Sequence, residues 1–210
     1  MVAAAGPAKA QRSDDLSIEL IDPQVLRICA DPHNLPFSNE RGEGFENKIA
    51  ELFAAKLGKS VAYTWYPQSV GFVRNTLAAH RCDVIIGIPQ GDELVQNTNA
   101  YYRTSYALVF SPNAALDGLT SLDDARLKDK RIGIVAGTPP ATLIAINGLM
   151  GRAKPYPLVV DTRIESSGQR MVQDAERGEI DVGVLWGPLA GYYARQTNPP
   201  LRVVPLVEDG

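Results

Sequence analysis

No run of about 18 consecutive apolar residues occurs in the 210-residue chain, so the sequence offers no helix long enough to cross a bilayer. Nor is there a basic stretch interleaved with aromatics. With 21 basic against 24 acidic residues the formal net charge is -3, which gives nucleic acid no electrostatic foothold. Histidine is nearly absent: His33 and His80 stand alone and far apart, short of the three or four convergent ligands a zinc or iron centre requires. Neither a Gly-x-Ser-x-Gly turn, a paired His/Ser set nor a phosphate loop is present, so no catalytic residue, metal or cofactor is expected. Asp31, Asp83 and Asp181 could suggest a carboxylate pair. Asp83 and Asp181 instead fall at strand starts, away from any crevice, where they are expected to cap turns.

Against these absences stands a regular alternation of strand-like and helix-like segments, in a chain with 45% hydrophobic and 21% charged residues. Val25–Ala30 is β-rich and closed by Asp31-Pro32. Phe45–Leu57 sets apolar residues at 45, 49, 52, 53 and 57 on one helical face and stops at Gly58. Val61–Trp65 alternates as a strand, Val70–Ala79 as an amphipathic helix, and Asp83–Ile88 is an apolar strand ended by Pro89. Two strand–helix–strand units imply a mostly parallel sheet covered by helices. Tyr101–Phe110 is strand-like and followed by a break at Ser111-Pro112-Asn113. The alternation then restarts with strands at Arg131–Ala136, Leu158–Val160, Ile180–Trp186 and Leu201–Val207, and helices at Thr138–Leu149, Gln169–Glu176 and Pro188–Ala194. The expected fold class is α/β with two lobes, residues 25–110 and 111–207, and a ligand cleft between them.

Residues 1–24 are expected to form a leader that is at least partly unordered. Met1–Ala10 has neither the basic start nor the sustained apolar run of an intact secretory signal, and suits a signal removed or trimmed. Cys29 and Cys82 could pair in an oxidising compartment. Placed on parallel neighbouring strands, however, their register would hold the sulfurs apart, and a bridge tolerates a Cα separation of only up to about 7 Å. This reading favours two buried thiols over a bridge.

The ordered set Leu26–Phe37, Gly44–Leu57, Cys82–Pro89, Tyr101–Phe110, Ser121–Thr138 and Gly178–Gly191 resembles the family 3 extracellular solute-binding proteins, which have the type II periplasmic-binding fold. Within that family, five phrases are similar to the methanol-dehydrogenase-associated (MxaJ/XoxJ-like) subgroup. They are Cys29-Ala30-Asp31-Pro32, Asn34-Leu35-Pro36-Phe37-Ser38-Asn39, Gly71–Leu77, Arg81-Cys82-Asp83-Val84 and Leu185–Gly191. The resemblance implies a periplasmic location and a role assisting a quinoprotein (PQQ-dependent) alcohol dehydrogenase by contact or by handling a ligand, without catalysis. The alternative it leaves is a receptor delivering a small organic solute, not an amino acid, to an ABC transporter. An enzyme akin to the family's cyclohexadienyl dehydratases ranks last. Family members usually return a C-terminal segment to the first lobe, and Glu208-Asp209-Gly210 would begin that return.

Where amino-acid-binding members carry a carboxylate-gripping arginine two residues after a proline, here Pro89, this chain has Gly91. Where they carry an ammonium-accepting aspartate, it has Trp186, whose indole only donates. At the anion-binding turn, Thr138 is followed by Pro139 and Pro140, which have no N–H. A cleft bordered by Asn34, Phe37, Pro89, Gly91, Tyr106, Thr138, Pro139 and Trp186 should therefore be apolar and aromatic. It would accept a partner protein or a small apolar or aromatic ligand.

Overall fold

The computed structural model describes residues 22–207; the expected leader up to residue 21 and residues 208–210 lie outside the described residues. The first sheet is built from β1 (Val25–Ala30), with a short hairpin of β2 (His33–Asn34) and β3 (Ser38–Asn39) following it. Next come α1 (Phe45–Lys56), β4 (Ser60–Trp65), the one-turn α2 (Phe72–Asn75) and β5 (Val84–Ile85). Its order is β4-β1-β5, all parallel. The second comprises β6 (Tyr106–Phe110), β7 (Ile132–Val135), α3 (Pro139–Ile146), β8 (Ala153–Tyr156), α4 (Ser167–Glu176), β9 (Val182–Trp186), α5 (Gly187–Ala194) and β10 (Arg202–Pro205). Its order is β10-β6-β9-β7-β8, parallel at β7–β8 and β7–β9 and antiparallel on either side of β6.

The α/β class holds, and several local expectations need correcting. β6 belongs to the second sheet, so the division at residue 110 falls too late: Ala107–Phe110 are buried on both faces between β9 and β10, and the break at Ser111 is only the turn that follows. The helix expected over Val70–Ala79 is a single turn, because Thr76 leaves helical geometry at φ -122. The strand expected at Leu158–Val160 is instead Ala153–Tyr156, where Pro155 masks the pattern, as proline does in strands. On α1 the buried face is Asn47, Ala50 and Ala54, while Leu52, Phe53 and Leu57 are exposed.

The cysteine expectation is overturned: Cys29 and Cys82 form a disulfide with their Cα atoms 5.5 Å apart. Cys82 does not sit on a strand. It precedes the short β5, whose Val84 and Ile85 pair with Ile28 and Cys29, and both cysteines pack with Phe72 and Val73 under α2. A Cys82 held in full strand register would have lain too far along β1.

Each sheet carries the same clamp at its strand starts. Asp83 accepts from the Arg27 backbone N–H at 2.9 Å and from its guanidinium at 2.5 and 3.1 Å. Asp181 accepts from the Arg131 backbone N–H at 2.7 Å and from its guanidinium at 2.9 and 3.1 Å. The two aspartates thus do more than cap turns: each ties together two neighbouring parallel strands of its sheet at the end away from the strands' carboxyl edge.

Candidate functional site

The carboxyl ends of parallel strands are where crevices form in α/β sheets, and the expected site residues cluster there unevenly. Tyr106 opens β6 and Trp186 closes β9, and the antiparallel register sets them directly opposite each other. Their rings meet edge to face with centroids 5.0 Å apart, a favoured aromatic geometry, and both are half-buried. Gly187 fixes this position. A Cβ there would lie 2.6 Å from the Ser105 carbonyl oxygen, so only glycine lets α5 start directly against the chain entering β6. Thr138 joins the pair: burial pushes the Tyr106 phenol up, and a side-chain hydrogen bond with Thr138 opposes that rise. Tyr106 and Trp186 are therefore one aromatic pair, with Thr138 close enough to act on the Tyr106 phenol.

The start of α3 is poor at holding an anion. Pro139 and Pro140 occupy its first positions, and the next N–H, on Ala141, donates to the Thr138 carbonyl at 2.9 Å. The Thr138 hydroxyl donates to the Val135 carbonyl at 2.6 Å. At the first position of α5, the Gly187 N–H donates to the Ser105 carbonyl at 2.9 Å, and Pro188 has no N–H.

The first-sheet residues divide. Asn34 is half-buried and its amide donates to the Gln68 side chain at 2.9 Å. The Phe37 ring packs edge to face on Phe45 at 5.4 Å, which in turn meets Tyr102 at 5.7 Å. Pro89 and Gly91 are exposed. Gly91 adopts a left-handed φ of +90, its N–H donates to Asn97 Oδ1 at 2.9 Å, and a Cβ there would meet nothing within 4 Å. This loop closes on itself, and the place of a carboxylate grip holds no cation.

Sequence reasoning missed the contacts that join the two halves. The Thr162 hydroxyl reaches both oxygens of the buried Asp31 carboxylate, at 2.8 and 3.0 Å. The Tyr193 hydroxyl donates to the Leu35 carbonyl at 3.4 Å. The family phrase containing Asp31 and Asn34-Leu35 was the signal for one side, but nothing marked Thr162. A recess of about 530 Å³ lies beside the aromatic pair, floored by Ala107, Gly187, Val203 and Leu206 and rimmed by Arg103; none of the eight expected residues lines it. Among the described residues no group of three or more His, Cys, Asp or Glu side chains could hold a metal ion, and no helix is long and apolar enough to cross a membrane.

No family model matches the chain. It is 30% identical to the protein MoxJ of Methylorubrum extorquens over all of this chain and 73% of that protein. Against MoxJ of Paracoccus denitrificans the identity is 27%, over 90% of this chain and 72% of that one. Among solved structures, the periplasmic binding protein XoxJ from Methylobacterium extorquens AM1 superposes with a TM-score of 0.74 and 43% identity, covering 87% of this chain and 78% of that one.

Proposed function

Because this chain belongs to the family of MoxJ- and XoxJ-type periplasmic binding proteins, we propose that it is a periplasmic accessory protein for a quinoprotein (PQQ-dependent) alcohol dehydrogenase. In this reading it acts by binding and not by catalysis. The observation that carries it is the Tyr106–Trp186 aromatic pair, whose indole takes the position counted from the sequence as that of an ammonium-accepting aspartate in amino-acid receptors. Tyrosine and tryptophan supply large, rigid contact area and are enriched at binding hot spots. A zwitterion would find at this pair an indole that only donates, and nearby a helix start whose first N–H groups are missing or engaged, while Gly91 offers no cation on its exposed loop. The disulfide suits a chain that folds in an oxidising compartment such as the periplasm.

The test is association of the purified protein with a quinoprotein alcohol dehydrogenase from the same organism, measured by biolayer interferometry. W186A is expected to weaken binding about tenfold or more, as loss of a central aromatic anchor does. Failure of the unaltered protein to bind, together with unchanged dehydrogenase activity on its addition, overturns the reading. The recess of about 530 Å³ favours a second reading, transport of a small organic solute, since its volume suits such a ligand. A ligand-induced rise in melting temperature in the absence of the dehydrogenase would select it.

A further inference from the structure

Two-lobed receptors ordinarily close because a solute touches both lobes and favours the closed state. Here a contact between the two halves is supplied by the chain itself. Asp31 lies directly after β1, at the carboxyl edge of the first sheet, and is 2% exposed. A carboxylate so removed from water needs hydrogen-bond donors to replace it. Two come from its own half, the His33 backbone N–H at 2.8 Å and the Gln68 backbone N–H at 2.6 Å. Gln68 is held in place by the side-chain bond from Asn34. The remaining donor is the Thr162 hydroxyl, 131 residues away, in the loop between β8 and α4 of the second half. It lies within hydrogen-bonding distance of both oxygens, and an O–H to a carboxylate is among the stronger hydrogen bonds a protein makes. The described residues show no ion pair to Asp31, so neutral donors alone satisfy the charge.

We propose that Asp31 and Thr162 form a latch that holds the two halves together without any solute, Thr162 standing where a ligand's donor would otherwise bridge them. Tyr193 and Leu35 add a second, longer bridge. The latch keeps the cleft shut at rest and makes opening, not closing, the step that a partner must drive. This goes beyond the proposed dehydrogenase role and stands or falls without any dehydrogenase present.

Small-angle X-ray scattering of the purified protein, with no solute added, tests it through three chains: wild type, T162S, which keeps the hydroxyl, and T162V, which replaces it with a methyl group of similar size. Wild type and T162S are expected to share one compact radius of gyration. T162V is expected to show a larger one, because losing a hydrogen bond to a charged group shifts the open-to-closed ratio roughly tenfold or more. Far-UV circular dichroism of T162V confirms that both halves remain folded; should it fail to fold, T162A read in the same way takes its place. Wild type already extended, a hydroxyl-free variant as compact as wild type, or T162S as extended as T162V would each overturn the latch.

Discussion

The two halves of the molecule solve the same problem with different means. The second buries two apolar clusters of thirteen and eleven residues on either side of a five-stranded sheet. The first buries two clusters of four each around three strands, one of the two containing the Cys29–Cys82 bridge. A small core leaves little hydrophobic stabilisation after chain entropy is met, and covalent cross-links are the usual compensation. Each half buries one acid that is met by hydrogen-bond donors, Asp31 in the first and Asp174 in the second, but the first also holds a half-buried acid that is not. In the second half, Asp174 accepts from Lys154 at 2.7 Å, from the Tyr156 hydroxyl at 2.5 Å and from Arg177. In the first, the Glu46 carboxyl rests against Gly87 beside Tyr101 and Tyr102 and makes no hydrogen bond or ion pair among the described residues. Apolar burial is concentrated in the second half, and the first adds a covalent staple.

The largest expected effect sharpens that contrast. Each half contains one tryptophan, Trp65 on β4 and Trp186 on β9, and quenching or mutation can assign their signals separately. Replacing both cysteines by serine frees a segment closed over a separation of 53 residues, which chain-entropy reasoning values at about 4 kcal/mol. The Trp65 urea transition is expected to move to lower denaturant while the Trp186 transition barely shifts. Coincident loss of both would show one cooperative unit and break the comparison.

The next effect concerns Glu46, whose carboxyl is pushed up to about 8 by burial, from an ordinary value of 4.5. Below pH 4.5 both folded and unfolded chains carry the proton and no penalty exists. Between 4.5 and 8 the unfolded chain releases it while the folded chain keeps it, so stability falls as pH rises, and above 8 the penalty levels off. The loss reaches roughly 3 kcal/mol by pH 7. E46Q should abolish this slope in the Trp65 transition, equalling wild type at pH 4 and exceeding it at pH 8. A wild-type Trp65 transition independent of pH across that window would show that Glu46 is hydrated or paired.

How much of this was legible in the sequence follows from which interactions are local. Val25–Ala30, Ser60–Trp65, Ser167–Glu176 and Val182–Trp186 announce themselves through apolar periodicity bounded by Gly, Pro or Asp. The α1 face misleads because its large residues Leu52, Phe53 and Leu57 point outward, while the buried positions are small or polar, with Asn47 Oδ1 accepting from the Asn39 and Gly44 N–H groups. The disulfide was missed because it depends on where β5 begins, at Val84 and one residue after the expected Asp83, so that Cys82 leaves strand register, which no pattern marks. Of the candidate site, Tyr106 and Trp186 meet, since strand ends can be counted from sequence. Gly91 and Pro89 lie on an exposed loop, and the Asp31–Thr162 contact joins residues whose proximity only the folded chain sets.

The smallest expected effect asks whether the shared clamp carries equal weight in both halves. Arg27 and Asp83 are 15% and 13% exposed in their side chains, whereas Arg131 and Asp181 are 47% and 28% exposed. The geometry is nearly the same, so the difference isolates solvent. Removing the charge from one partner of the more buried pair takes the ion pair from Arg27 in a site little screened by water, and D83N should cost on the order of 2 kcal/mol in the Trp65 transition. The second pair is screened by water, and D181N should cost less than about 1 kcal/mol in the Trp186 transition. Salt separates the two further: at about 1 M the Debye length shrinks to roughly 3 Å, which should erase most of the Asp181 effect and little of the Asp83 effect. Equal costs, equally reduced by salt, would mean that the first half is no more dependent on its polar ties than the second, and the disulfide alone would then carry the asymmetry.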